Sequence, residues 1–115
     1  MNCRLHCRAL SVIQGDTLDV TVTIENPEEL VLSKVYFICP SLGLKETLTP
    51  LNLGDDLWGF TISANTTKTL RVGRWDFNIV AMADDGDVFT VLFKDQFIVH
   101  YNRAKNDYTI DGQGE

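Results

Sequence analysis

The stretch GRWDFNIVAMADDGDVFTVLF, residues 73–93, decides the fold. Its first half alternates with a period of two. Trp75, Phe77, Ile79 and Ala81 fall on one side, and Arg74, Asp76 and Asn78 on the other. Such alternation marks a strand with one face buried. Asp84-Asp85-Gly86-Asp87 follows, and aspartate and glycine tolerate the positive φ that a tight hairpin turn demands. The run VFTVLF then reads as the partner strand. Lys94-Asp95-Gln96 interrupts it and FIVHY resumes, which predicts a bulge or a strand switch.

The same period appears upstream. In GDTLDVTVTIEN, residues 15–26, Leu18, Val20, Val22 and Ile24 share a face opposite Thr17, Asp19, Thr21, Thr23 and Glu25. VLSKVYFIC is β-branched and aromatic and reads as another strand. Residues 44–49 form a weak strand closed by Pro50, residues 52–56 a loop, and Trp58, Phe60 and Ile62 one face of a further strand. Asn26-Pro27-Glu28-Glu29 has the residues of a single helical turn. Asn65-Thr66-Thr67-Lys68 reads as a polar connection. No segment of helical length carries a 3.6-residue period. About seven short strands separated by turn signals predict an all-β chain, an antiparallel immunoglobulin-like β-sandwich. Residues 1–101 form that sandwich. Residues 102–115 lose the alternation and are expected to be an arm, ordered only when something binds it.

Composition narrows function. The chain has 115 residues, enough for one domain with a core that needs no staples. Ten basic against sixteen acidic side chains give a net charge of −6. A nucleic-acid binder needs a basic face to displace counterions from phosphate, and an anionic membrane attracts the same charge, so neither partner is expected. No apolar run approaches the length of a membrane span. Arg4, His6 and Arg8 interrupt the first apolar pattern, so a secretory signal is not expected.

Candidate sites are few. Cys3, His6 and Cys7 lie within five residues. If residues 2–10 are one strand, Cys3, Leu5, Cys7 and Ala9 face one way and Arg4, His6 and Arg8 the other, so His6 cannot converge with the two thiols on a zinc ion. Cys3 and Cys7 would stand about 13 Å apart, too far for a disulfide. Cys39 lies in an apolar strand. All three cysteines are expected to be reduced core thiols, and an odd number of them suits a reducing compartment. His100 ends a strand without an identifiable Ser, Cys or carboxylate partner. Asp84, Asp85 and Asp87 supply oxygens of the kind calcium takes, but a solvated turn accounts for them. Asn65-Thr66-Thr67 matches a glycosylation acceptor that matters only in a secreted chain. Trp58 and Trp75 are expected to meet in the core; a carbohydrate platform would need them exposed. No phosphate loop, nucleotide fingerprint or nucleophile elbow is present. No cofactor and no catalytic or metal-binding residue is assigned, and the chain is not expected to be an enzyme.

The chain resembles small β-sandwich domains of phage and prophage virion proteins. It is similar to the N-terminal domain of upper baseplate proteins in phages of Gram-positive bacteria. Gly15-Asp16-Thr17 matches the element that introduces a strand in those domains. Gly73-Arg74-Trp75-Asp76-Phe77-Asn78-Ile79, the Asp84 to Asp87 turn and Asp95-Gln96-Phe97-Ile98-Val99 match the strand, turn and closing strand near their end. The closing strand departs from the pattern, with Asp95 or Gln96 where glycine is usual. The resemblance implies a structural component of the tail, baseplate or capsid, made in the host bacterial cytoplasm and residing in the virion. Its partners would be other virion proteins or copies of itself, as a cyclic homo-oligomer. Assembly through a sheet edge is the implied mechanism, with Tyr108 and Ile110 on the arm as the contact residues. The competing reading is a small bacterial binding module, adhesin-like or carbohydrate-binding.

Overall fold

The computed structural model describes residues 1–51 and 56–102. Eight strands carry nearly all of the regular structure: β1 (Asn2–Leu5), β2 (Leu10–Ile13), β3 (Leu18–Glu25), β4 (Leu32–Cys39), β5 (Leu44–Pro50), β6 (Leu57–Ile62), β7 (Gly73–Ala83) and β8 (Val88–His100). The strands follow the order β1-β3-β6-β5-β4-β7-β8-β2. This order makes two layers. β1, β3 and β6 form one; β4, β7, β8 and β2 form the other. β5 belongs to both, pairing with β4 over residues 44–48 and with β6 through Thr49 and Pro50. The result is close to a barrel, closed by β5 along one flank.

The chain is all-β, as its periodicity predicts, with two corrections. There are eight strands among the described residues rather than about seven, and the sheet is mixed: β2 runs parallel to β8. Both corrections come from one segment. Residues 2–13 run in one direction, but the chain leaves the ladder after Leu5 and crosses to the other layer over residues 6–9 before pairing again at Leu10. The expected single strand over residues 2–10 is therefore two strands in different layers.

The inward faces meet around Phe37. Its ring lies 4.9 Å from Phe60 across the layers, 4.9 Å from Phe77 and 5.8 Å from Phe97. Val20, Val22 and Ile24 of β3, Val35 and Cys39 of β4, and Ile79 and Ala81 of β7 complete a buried interior, as their alternation predicts. Burial of this kind supplies most of the stability of a small domain.

The turns follow local chemistry. The β7–β8 hairpin closes through Gly86 at φ +96°, with the Ala83 N–H donating to Asp87 O and the Asp87 N–H to Asp85 Oδ1. The interruption of β8 is a bulge, not a strand switch. Phe77 opposes Asp95 and Ile79 opposes Leu92, so Phe93 and Lys94 together face the single residue Asn78. Asn78 Oδ1 takes the Lys94 N–H at 2.8 Å and holds Lys94 at φ +53°. Residues 26–29 form a turn rather than the expected helical one. The Asn26 side chain donates to Leu30 O and accepts from the Leu30 N–H, a local bonding pattern that competes with a helix. A short α-helix, α1 (Ala64–Thr67), lies in the expected polar connection and is capped by Ser63.

Candidate functional site

On the flank opposite β5 no ladder joins the two layers among the described residues. β1 and β2 end the strand order on either side, so each pairs on one side only among the described residues. Each is four residues long. An unpaired edge presents backbone donors and acceptors that another strand can use. Beside β2 runs an open groove of about 390 Å³, whose lining includes Val12, Ile13, Asp16, Thr17, Leu18 and His100.

Several polar contacts fix the corner where this groove begins. Thr67 is fully buried and joins α1 to the turn before β3: its hydroxyl donates to Asp16 O at 2.7 Å and accepts the Gly15 N–H at 3.0 Å. Gln14 donates from Nε2 to Leu70 O at 2.8 Å, and its N–H donates to His100 O at 3.0 Å. Asn102, the last described residue, donates from Nδ2 to Gln14 O at 3.1 Å. The arm expected to start at residue 102 is thus fastened at its first residue. Tyr108 and Ile110 lie outside the described residues.

The remaining candidates scatter. Cys3 is half-buried on β1, Cys7 is exposed in the crossing segment, and Cys39 is fully buried on β4. The expectation that all three are core thiols fails at Cys7, because the chain leaves the ladder before reaching it. Burial pushes the Cys3 thiol up to about 11. Burial also raises Cys39, the nearby Asp76 carboxylate adding to it against a hydrogen bond from the Leu42 backbone. His6 Nε2 lies 2.6 Å from Thr23 Oγ1, and its N–H continues the β1–β3 ladder to Thr21 O. Among the described residues, no three His, Cys, Asp or Glu side chains come together as a metal site requires. No helix among them is long and apolar enough to cross a membrane.

The tryptophans correct a second expectation. Both pack against the core yet stay half-buried, at separate places: Trp58 opposite Val22 and Pro50, Trp75 opposite Phe97. Trp75 is held by its surroundings. Its Nε1–H donates to Arg71 O at 2.9 Å, the Arg71 guanidinium sits 4.7 Å from the ring centre, and Arg71 also donates to Ser41 O. Gly73 makes room for it. At φ +144°, a Cβ there would meet the indole at 3.1 Å. The large aromatics left most open are Phe93, 67% exposed on the bulge, and Tyr101.

Sequence reasoning missed β2, Thr67 and the Gln14–Asn102 contact. β2 carries a signal in hindsight: Leu10 and Val12 alternate with Ser11 and Ile13. The partners of Thr67 and Asn102 lie far away along the chain, and no local pattern announces them.

No protein-family model matches the sequence, and no curated protein matches it. Similarity appears in solved structures. The fibronectin(III)-like modules of CbhA from Clostridium thermocellum superpose with a TM-score of 0.55 at 14% identity, over 87% of this chain and 46% of that one. The endo-beta-1,4-mannanase from Thermotoga petrophila superposes with a TM-score of 0.62 at 14% identity, over 88% of this chain and 20% of that one. The chain therefore spans less than half the length of either. At such low identity the likeness speaks for the fold alone: an all-β, fibronectin III-like, immunoglobulin-like sandwich.

Proposed function

We propose that this chain is a non-enzymatic structural protein of a phage or prophage virion, in the tail, baseplate or capsid, acting through protein–protein assembly. The observation that supports this reading is the flank where β1 and β2 each leave one edge unpaired among the described residues, with a groove beside β2. Unpaired edges are the part of a sandwich that joins another chain with the least rearrangement. The net charge of −6 agrees with a partner that is protein rather than nucleic acid. The sequence resemblance supplies the virion setting. The test is mass spectrometry of particles purified from a host strain that encodes the chain. The expected result is the chain present in fixed ratio to the major structural proteins. Its absence from particles overturns the virion setting.

A second reading is a bacterial binding module, adhesin-like or carbohydrate-binding. Two observations favour it. Fibronectin-like modules and a mannanase share the fold, and Phe93 and Tyr101 offer exposed rings on which a sugar could stack. Affinity electrophoresis in gels containing polysaccharide separates the two. Retardation that Phe93→Ala abolishes selects the binding module.

A further inference from the structure

We infer that the free edge of β2 receives residues 104–115 of a second copy of this chain, and that two copies exchange these segments reciprocally about a two-fold axis. The inference deepens the assembly reading above and rests on it. Three observations lead there. First, β2 is the terminal strand of its layer and pairs on one side with β8, from Leu10↔Phe97 to Ile13↔His100. Second, the groove of about 390 Å³ follows that edge, bounded by Val12 and Leu18 toward the core and by Ser11, Ile13 and Thr17 toward solvent. Its volume is of the order of two large side chains. Third, the last described residue is fixed beside the acceptor: Asn102 Nδ2 donates to the carbonyl of Gln14, the residue that directly follows β2.

The remaining 13 residues read RAKNDYTIDGQGE. Fully extended they reach about 43 Å, against about 13 Å for the four residues of β2. Tyr108 and Ile110 are their only large apolar residues and stand two apart, so an extended strand turns both to the same side. A strand paired with β2 can direct both into the groove. The backbone entropy of ordering such a segment, about 1–2 kcal/mol per residue, is offset only by ladder bonds and burial of this kind.

The local geometry selects a second copy over the chain's own edge. To reach the free side of its own β2, the segment would pass round the end of that strand. The turn before β3 occupies this end, fastened by the Gln14 N–H to His100 O, the Asp16 N–H to Ile13 O, and the Gly15 N–H to Thr67 Oγ1. Symmetry follows from the same placement. Donor and acceptor lie at one corner of the molecule, the placement that a reciprocal, two-fold contact requires.

The test compares the full chain with two variants by sedimentation velocity across a concentration series, with hydrogen exchange read at β2. One variant ends after Arg103. All eight strands and the core precede this point, so the fold is kept. The other retains full length and carries Tyr108→Ser with Ile110→Ser. The expected result is a dimer for the full chain and monomers for both variants. The amides of Ser11 to Ile13 should exchange about tenfold slower in the dimer. A full-length monomer at every concentration, a truncated chain that still dimerises, or dimer protection that falls elsewhere than β2 each overturns the exchange. These measurements use the isolated chain. A negative result leaves the virion setting to the particle experiment, and chain-free particles leave the exchange intact.

Discussion

The two flanks of the sandwich solve the same problem in opposite ways. Along one, β5 starts as a partner of β4 and ends as a partner of β6, so a single strand closes both layers. Along the other, the chain also changes layers, between β1 and β2, but it leaves the ladder for residues 6–9 to do so. A strand that stays in the ladder while switching removes two edges. A strand that breaks first leaves two. The difference traces to the residues at the crossing. In β5, Leu44 and Leu48 are buried on either side of Glu46, and the strand stays in the ladder by passing to β6 through the exposed Thr49 and Pro50. At residues 6–9, a histidine, a cysteine, an arginine and an alanine are all exposed, and no burial holds the segment down. The lesson is that a change of layer closes a flank when the strand keeps pairing through the switch, as Thr49 and Pro50 do with β6.

This comparison can be broken most directly at the centre. Phe37 joins the layers through Phe60, and Phe77 packs beside it, both fully buried. Phe77→Ala should cost about 3–5 kcal/mol, a large share of a small domain's stability. Phe37→Ala should cost at least as much, since it removes the contact between layers. Chemical denaturation reads both. A loss under about 1 kcal/mol for Phe77→Ala would show that the strand's face is inverted.

Thr67 holds the open flank's corner, and Thr67→Val keeps its shape while removing the hydroxyl. The Gly15 N–H and Asp16 O then lose a buried partner, at a cost of about 1–3 kcal/mol. Retained stability would mean that water or a shifted turn replaces the hydroxyl.

Smaller effects grade the cysteines. Exposed Cys7 should react with a thiol reagent first, Cys3 more slowly, and Cys39 only on unfolding. Cys7→Ser should change stability by no more than about 0.5 kcal/mol. The raised Cys3 value sets a pH window. Below the ordinary thiol value of 9.0, folded and unfolded chains both hold the proton, and the stability from its burial is complete. Above it the unfolded chain releases the proton first, so stability falls as pH rises through about 11. Cys3→Ala should flatten that fall. An unchanged alkaline profile would place its cause elsewhere.

How far the fold was legible depended on whether its determinants were local. The β7–β8 hairpin and β3 read directly, because each buries one face and so carries its period in its own residues, and β4 read from its β-branched and aromatic residues. The bulge was half legible: Lys94-Asp95-Gln96 marks a break, but only the Asn78 carboxamide across the ladder makes it a bulge. The opening strand was misread because the alternation that starts at Cys3 continues formally to Ala9, whereas the β1–β3 pairs end at Leu5. The open flank was not legible as a site. Its edges exist because of what fails to pair, and its corner is built from Gln14, Thr67 and Asn102, which lie far apart in the chain.

The direction of β1 has a mechanical consequence. Asn2 pairs with Glu25 at one end of the molecule, whereas His100 pairs with Ile13 at the other. A load drawn between the first strand and the last therefore acts along the strands. The hydrogen bonds of the β1–β3 ladder stand across that pull. All four residue pairs, from Asn2↔Glu25 to Leu5↔Val22, are strained at once instead of opening one after another. Under tension this short edge behaves as a shear clamp, and residues 6–9 take up load only after its four pairs give way.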